Sequence, residues 1–170
     1  MNISVPLEHG MLPDTYGKHA PAKLQRDGHP FVSPPIFVEE APAEAKSLAL
    51  TFVDFDAVPV GGFCWIHWLA CNFPPDTALI PENASASGEL PCVQGSNSDW
   101  SPLAGSWTDP RIIHRYAGPY PPDKDHAYTL TVYALDIELD LVEGYFLNEF
   151  RRAIRGHVLA KAEIEVVSRA

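Results

Sequence analysis

Three short stretches hold the side chains best suited to chemistry: Asp54-Phe55-Asp56, the lone His67 inside Trp65-Ile66-His67-Trp68, and His126 with Tyr128 shortly after Pro121-Pro122. Carboxylates beside imidazoles can share protons, and they can hold a polar ligand through charge-assisted hydrogen bonds. The same residue types suit zinc, but without a supporting ligand spacing the combination is nonspecific, so neither a metal site nor a cofactor is expected. The chain contains no GxSxG elbow, Walker loop, dinucleotide GxGxxG or HExxH motif. A hydrolase using His67 or His126 with an aspartate stays open, yet no obvious nucleophile accompanies them, and enzyme activity is not the expected reading.

Each stretch has two readings until its neighbours are placed. Asp54 ends "SLALTFVD" (47–54) and keeps the parity of Leu48, Leu50 and Phe52, so it points along the core face where a strand stops. It is either a turn residue bonding nearby amides or a carboxylate at a pocket mouth. His67 lies in "FCWIHWLAC" (63–71), which has no polar alternate face and so predicts a central strand covered on both sides. Alternation puts Phe63, Trp65, His67, Leu69 and Cys71 on one face, with Cys64, Ile66, Trp68 and Ala70 on the other. A buried imidazole needs partners, since an unpaired buried polar group costs about 1–3 kcal/mol. His67 is thus either a satisfied core residue or a ligand contact. His126 and Tyr128 share parity at the start of "AYTLTVYAL" (127–135), behind a stiff Pro-Pro wall; His126 is either a pocket residue or one exposed after a turn.

The remaining pattern is mostly β. "GHVLAKAEIEVV" (156–167) alternates, with Val158, Ala160, Ala162, Ile164 and Val166 facing in and Lys161, Glu163 and Glu165 facing out. One convincing helix, "GYFLNEFRRAIRG" (144–156), carries Phe146, Leu147, Phe150 and Ile154 at helical spacing, with Gly156 suited to its end. Seventeen prolines, about twice the usual share, disfavour long helices. The loop-rich stretch 74–119 is long enough to be functional. The expectation is one domain over residues 1–170, a β-sandwich with irregular loops and one or two short helices.

Twelve basic against 22 acidic residues give a net charge of −10, which excludes nucleic acid and anionic membrane surfaces as expected partners. The cluster of Arg151, Arg152, Arg155 and His157 reads as a solvated helix face. The longest apolar run, Phe63 to Cys71, falls far short of the ~20 residues that span a bilayer, so no stable membrane insertion is expected. "MNISVPLEHG" lacks the basic and apolar regions of a signal peptide, and the cytoplasm is the expected location. Cys64, Cys71 and Cys92 are odd in number and lack CxxC spacing, which argues against a disulfide framework.

The three stretches also resemble a family. Asp-x-Asp-Ala after a strand, His-Trp some ten residues on, and Gly118-Pro119-x-Pro121-Pro122 leading to His126-x-Tyr128 and "VYALD" are similar to the phosphatidylethanolamine-binding protein family, or Raf kinase inhibitor-like proteins, in its bacterial subgroup. The resemblance runs through the helix to "GHVLAKAEI", roughly residues 47–164. It implies a β-sandwich with Greek-key connections and a small pocket for phosphate-like anions and phospholipid head groups. By that resemblance the pocket residues are Asp54, Asp56, His67, Pro122, His126 and Tyr128, with Gly118, Pro119 and Pro121 as a wall; "QGSNSDW" (94–100) is similar to the family's Gly-x-Asn segment. The family's Asp-Pro-Asp-Ala-Pro is here Asp54-Phe55-Asp56-Ala57-Val58-Pro59, and Arg115 stands where the family has glycine.

An anion site lined by aspartates needs a shared proton. A phosphate monoanion can donate to Asp54 or Asp56 while His67, His126 and loop amides donate to its other oxygens. The expected function is a binding module for a phosphate-containing or other small anionic ligand. The alternative is a kinase or protease inhibitor acting through surface loops, and exposed strand edges leave a homodimer open.

Overall fold

The computed structural model describes all residues, Met1–Ala170. Its strands, in chain order, are β1 (Asn2–Ser4), β2 (Gln25–Arg26), β3 (His29–Pro30), β4 (Ile36–Glu39), β5 (Ser47–Asp54), β6 (Trp65–Phe73), β7 (Leu79–Ile80), β8 (Val93–Gln94), β9 (His126–Leu135) and β10 (Val158–Ser168). The 47–54 run forms β5 with the predicted bounds and is buried at every position, as an unbroken branched and aromatic strand must be to avoid exposing a face. It is the middle of a five-stranded antiparallel sheet ordered β10-β9-β5-β6-β8. Read in chain order within that sheet, the fourth strand of β5, β6, β8 and β9 returns to lie beside the first, a Greek-key order.

A smaller sheet, β1-β4-β7, covers one face of the large one, and β2-β3 forms a separate hairpin. The main core fills the space between the two sheets, with Ile3, Ile36, Val38 and Ile80 meeting Leu48, Leu50, Phe52, Leu130 and Val132. A second cluster lies on the far face, where Ala49, Leu69, Cys71 and Leu135 pack against Phe150. With both faces covered, β5 and β6 have no wet side, which explains their missing polar alternation.

The predicted helix is present but shorter, α4 (Leu147–Ala153), begun where the Phe146 N–H donates to Glu149 Oε2 at 2.8 Å and closed before Gly156 in the left-handed region. Three single turns precede it, α1 (Val58–Gly61), α2 (Ala84–Ser87) and α3 (Pro110–Ile113). Along β10, Lys161, Glu163 and Glu165 face solvent while Ala160, Ala162 and Ile164 pack on the core, as the alternation predicted. Val158 departs from it and is exposed, because the pairing with β9 shifts register between Val158 and Ala160. No helix is long and apolar enough to cross a membrane.

Candidate ligand-binding site

Strict alternation along β6 fails at His67. Phe52 pairs with Trp68 but Val53 with Ile66, so His67 is an extra residue in the ladder, a β-bulge. The consequence is a change of face. His67 sits with Trp68 on the main-core side, its ring 5.9 Å from Phe52 and 5.0 Å from Tyr128, whereas Leu69 and Cys71 lie in the opposite cluster. Trp65 stays on the His67 side, so the ring pair at the strand end keeps its predicted face.

His67 is buried, and its Nδ1 lies 2.8 Å from the Ala117 carbonyl. A carbonyl only accepts, so Nδ1 carries the proton and Nε2 presents a lone pair. Burial holds this imidazole below its usual pKa despite the Ala117 bond and the nearby Asp54, so near neutral pH His67 is uncharged and accepts at Nε2. That corrects the expectation that His67 donates to a ligand. The Ala117 N–H returns a bond to the His67 carbonyl at 2.9 Å, tying the loop after α3 to β6.

At the end of β5 both readings of Asp54 hold at once. Its Oδ1 accepts from the Ala57 N–H at 3.1 Å, closing the turn, and its Oδ2 accepts from His126 Nδ1 at 2.7 Å. His126 has no exposed surface, and its Nε2 meets Asp123 Oδ1 at 2.9 Å. Burial opposes charge on this ring, but the bonds to Asp54 and Asp123 outweigh it and raise the pKa. With each N–H given to a carboxylate, His126 has none left to donate to a ligand, contrary to expectation. Asp56 turns to the scaffold: its Oδ2 accepts from the Ala127 N–H at 3.0 Å, joining the turn to β9, and it is not part of the cavity lining.

Asp54, His67, His126 and Tyr128 converge on one cavity of about 420 Å³, with Gly118 and Pro122 along a wall. Burial, with Asp54 beside it, pushes the Tyr128 hydroxyl well above its usual pKa, so it remains a donor. Pro119 and Pro121 stand behind that wall; their carbonyls accept from the Lys18 N–H at 2.8 Å and from Lys18 Nζ at 2.6 Å. Gly118 is required by close approach, since a Cβ there would lie 2.5 Å from the Tyr16 carbonyl oxygen and 2.6 Å from Pro30 Cβ. Its own N–H donates to Pro30 at 2.9 Å.

Several lining residues were not singled out from the sequence: Trp65, Asp99, Tyr120 and the hairpin tip Asp27-Gly28-His29. Asp99 Oδ2 holds His29 Nδ1 at 3.1 Å, while the Asp99 N–H is capped by Asn97 Oδ1 at 2.9 Å. Asn97 two residues before Asp99 is a local signal that could have marked this turn. The Asp-Gly pair at the hairpin tip, with positive φ at both residues, was a readable turn signal, but nothing local says that the turn folds over the cavity. No cysteine lines it; burial pushes the Cys71 thiol up to about 11 and Cys92 to about 12. No three His, Cys, Asp or Glu side chains are grouped as metal ligands.

The family model for phosphatidylethanolamine-binding proteins matches residues 2–169. YxkA of Bacillus subtilis is 53% identical over 169 residues, 99% of either chain. A UPF0098 protein of Methanothermobacter thermautotrophicus is 38% identical over 85% of this chain and 86% of its own. Among solved structures, the Chlamydia trachomatis PEBP homolog CT736 matches with a TM-score of 0.74 at 30% identity, over 94% of this chain and 90% of that one. E. coli YbcL matches with a TM-score of 0.76 over 99% and 98%, but at 24% identity it speaks to the fold alone. A family match over nearly the whole chain, together with relatives above 30% identity at high coverage, decides the matter: the chain belongs to the phosphatidylethanolamine-binding protein family.

Proposed function

We propose that the protein is a binding module for a small phosphate-bearing ligand of head-group type, taken as the singly protonated monoanion. The observation that carries this reading is the balance of acceptors and donors in the cavity. Asp54, Asp99 and His67 Nε2 accept, while the donors at hand are the Tyr128 hydroxyl, which itself bonds Asp54, and the Tyr120 N–H, which bonds the Tyr128 oxygen. A dianion would meet carboxylates with no proton between them. A monoanion keeps one P–OH to donate to Asp54 or His67, and its other oxygens accept from Tyr128 and Tyr120 in exchange for the bonds these two make to Asp54 and to each other. The protonated His126 behind Asp54 offsets that carboxylate's charge. The family's name points to the same ligand class, and a cavity of about 420 Å³ is of small-molecule size.

The test is calorimetric titration with inorganic phosphate and with phosphoethanolamine at pH 6 and pH 8. For phosphoethanolamine, a monoester with a second pKa of about 6, the monoanion falls from about half to about one part in a hundred, so affinity should weaken about fiftyfold at pH 8; inorganic phosphate, with a higher second pKa, should weaken in the same direction but by less. Absence of binding at either pH, or undiminished affinity in His67→Ala, overturns the reading.

A further inference from the structure

We propose that Asp123, which lies outside the cavity lining, is a positioning residue for the anion site: by taking the Nε2 proton of His126 it makes that buried imidazole a fixed cation behind Asp54. His126 Nδ1 is 2.7 Å from an Asp54 oxygen and Nε2 is 2.9 Å from an Asp123 oxygen. Ionised carboxylates only accept, so both ring nitrogens must carry hydrogen, and an imidazole with two N–H groups is a cation. Water cannot serve as a substitute partner, because the ring has no exposed surface, whereas the Asp123 side chain is 51% exposed and reaches the ring from outside.

Nothing else around the ring provides this charge balance. Asp54 comes from β5 and Asp123 from the loop before β9; His67 on β6 is neutral, and Tyr128 on β9 is a neutral phenol. From β10 the residue paired with His126 is Ser168, the neighbouring Arg169 is bound to Asp14, and Asp56 is bound to the Ala127 N–H. Asparagine at position 123 could donate its amide to Nε2 and keep the contact, while allowing a neutral ring with a single N–H toward Asp54. The charge, not the packing, is what Asp123 imposes. This inference rests on the phosphate reading above and says what makes an acidic cavity tolerate an anion.

Two measurements test it, in Asp123→Asn and in Asp125→Asn as control. Asp125 is two residues away and its Oδ1 accepts from the exposed Ala170 N–H at 2.8 Å, so its loss changes net charge equally without touching His126. First, NMR titration of His126 without ligand should show the Asp123→Asn ring losing its proton at least one pH unit earlier than wild type, with Asp125→Asn unchanged. Second, the wild-type to Asp123→Asn affinity ratio for inorganic phosphate should be near one at pH 5.5 and roughly tenfold at pH 7.5. Neutralising an acidic side chain would by long-range electrostatics alone strengthen anion binding, so a loss has the opposite sign to the bland effect. Coincident His126 titrations in wild type and Asp123→Asn, or a phosphate ratio that stays at or below one at pH 7.5, overturn the proposal. Because the titration needs no ligand, wild-type protein that binds no phosphate overturns the functional reading, while the His126 result still decides the role of Asp123.

Discussion

The substitution Asp54→Asn isolates the buried charge pair at the cavity floor. The asparagine side chain keeps an oxygen for the Ala57 N–H, so the turn survives, while the charge-assisted bond that His126 Nδ1 donates to Asp54 Oδ2, 2.7 Å long, is lost and leaves at most a neutral amide contact to the ring. Both side chains are buried, with His126 fully enclosed and Asp54 3% exposed. A charge-assisted hydrogen bond is worth about 1.5–3 kcal/mol and breaking a buried pair by removing one partner costs about 3–5 kcal/mol, so the loss should be about 3 kcal/mol. For a chain of this size that is a fall in Tm of roughly 6–12 °C. The pH dependence has a definite sign. Burial lowers the His126 pKa, but the bonds to Asp54 and Asp123 raise it more, so the folded value lies above the unfolded one. The stabilisation is therefore complete below about pH 6.5 and is lost as pH rises through the folded value. Urea unfolding of wild type and Asp54→Asn should show the full gap at pH 6 and a smaller one at pH 9. A gap under about 1 kcal/mol at pH 6, or one that widens toward pH 9, would refute the reasoning.

Two further perturbations separate the wall of the cavity from the far side of the sheet. Gly118→Ala puts a Cβ within 2.6 Å of Tyr16 and Pro30 and should cost about 1–3 kcal/mol in urea unfolding, as overpacking does; stability within about 0.5 kcal/mol of wild type would mean that the N-terminal segment moves aside freely. Phe150→Ala removes a fully buried ring packed 5.6 Å from Tyr133 and 6.2 Å from Tyr145, and should cost about 3–5 kcal/mol. Because Phe150 lies across the sheet from the cavity, phosphate affinity of the folded variant at pH 6 should match wild type.

How much of this was readable in the chain depends on how local each cause is. Asp54, His126 and Tyr128 were placed correctly by parity, because β5 and β9 run in register without interruption from Asp54↔Tyr128 to Ser47↔Leu135. His67 was grouped with Leu69 and Cys71 and apart from Trp68 because its bulge arises from pairing with β5, and a two-residue alternation has no way to register an extra residue. The helix came out shorter than its pattern because Gly144 and Tyr145 are engaged elsewhere, their carbonyls accepting from Ser96 Oγ and the Ser96 N–H. Asp123 lies only three residues before His126, yet its role could not be read there, since it depends on the other nitrogen already facing Asp54, 72 residues away in sequence.

By itself the sequence determined the β class, the central burial of β5 and β6, and the family, because branched runs, turn residues and ordered short motifs are local facts of the chain. The tertiary structure decided which way the site's protons point. Whether a histidine donates, accepts or carries charge is set by what stands opposite each ring nitrogen, and here those partners, Ala117 for His67 and Asp54 with Asp123 for His126, are assembled only when β5, β6, β9 and the loop before β9 come together.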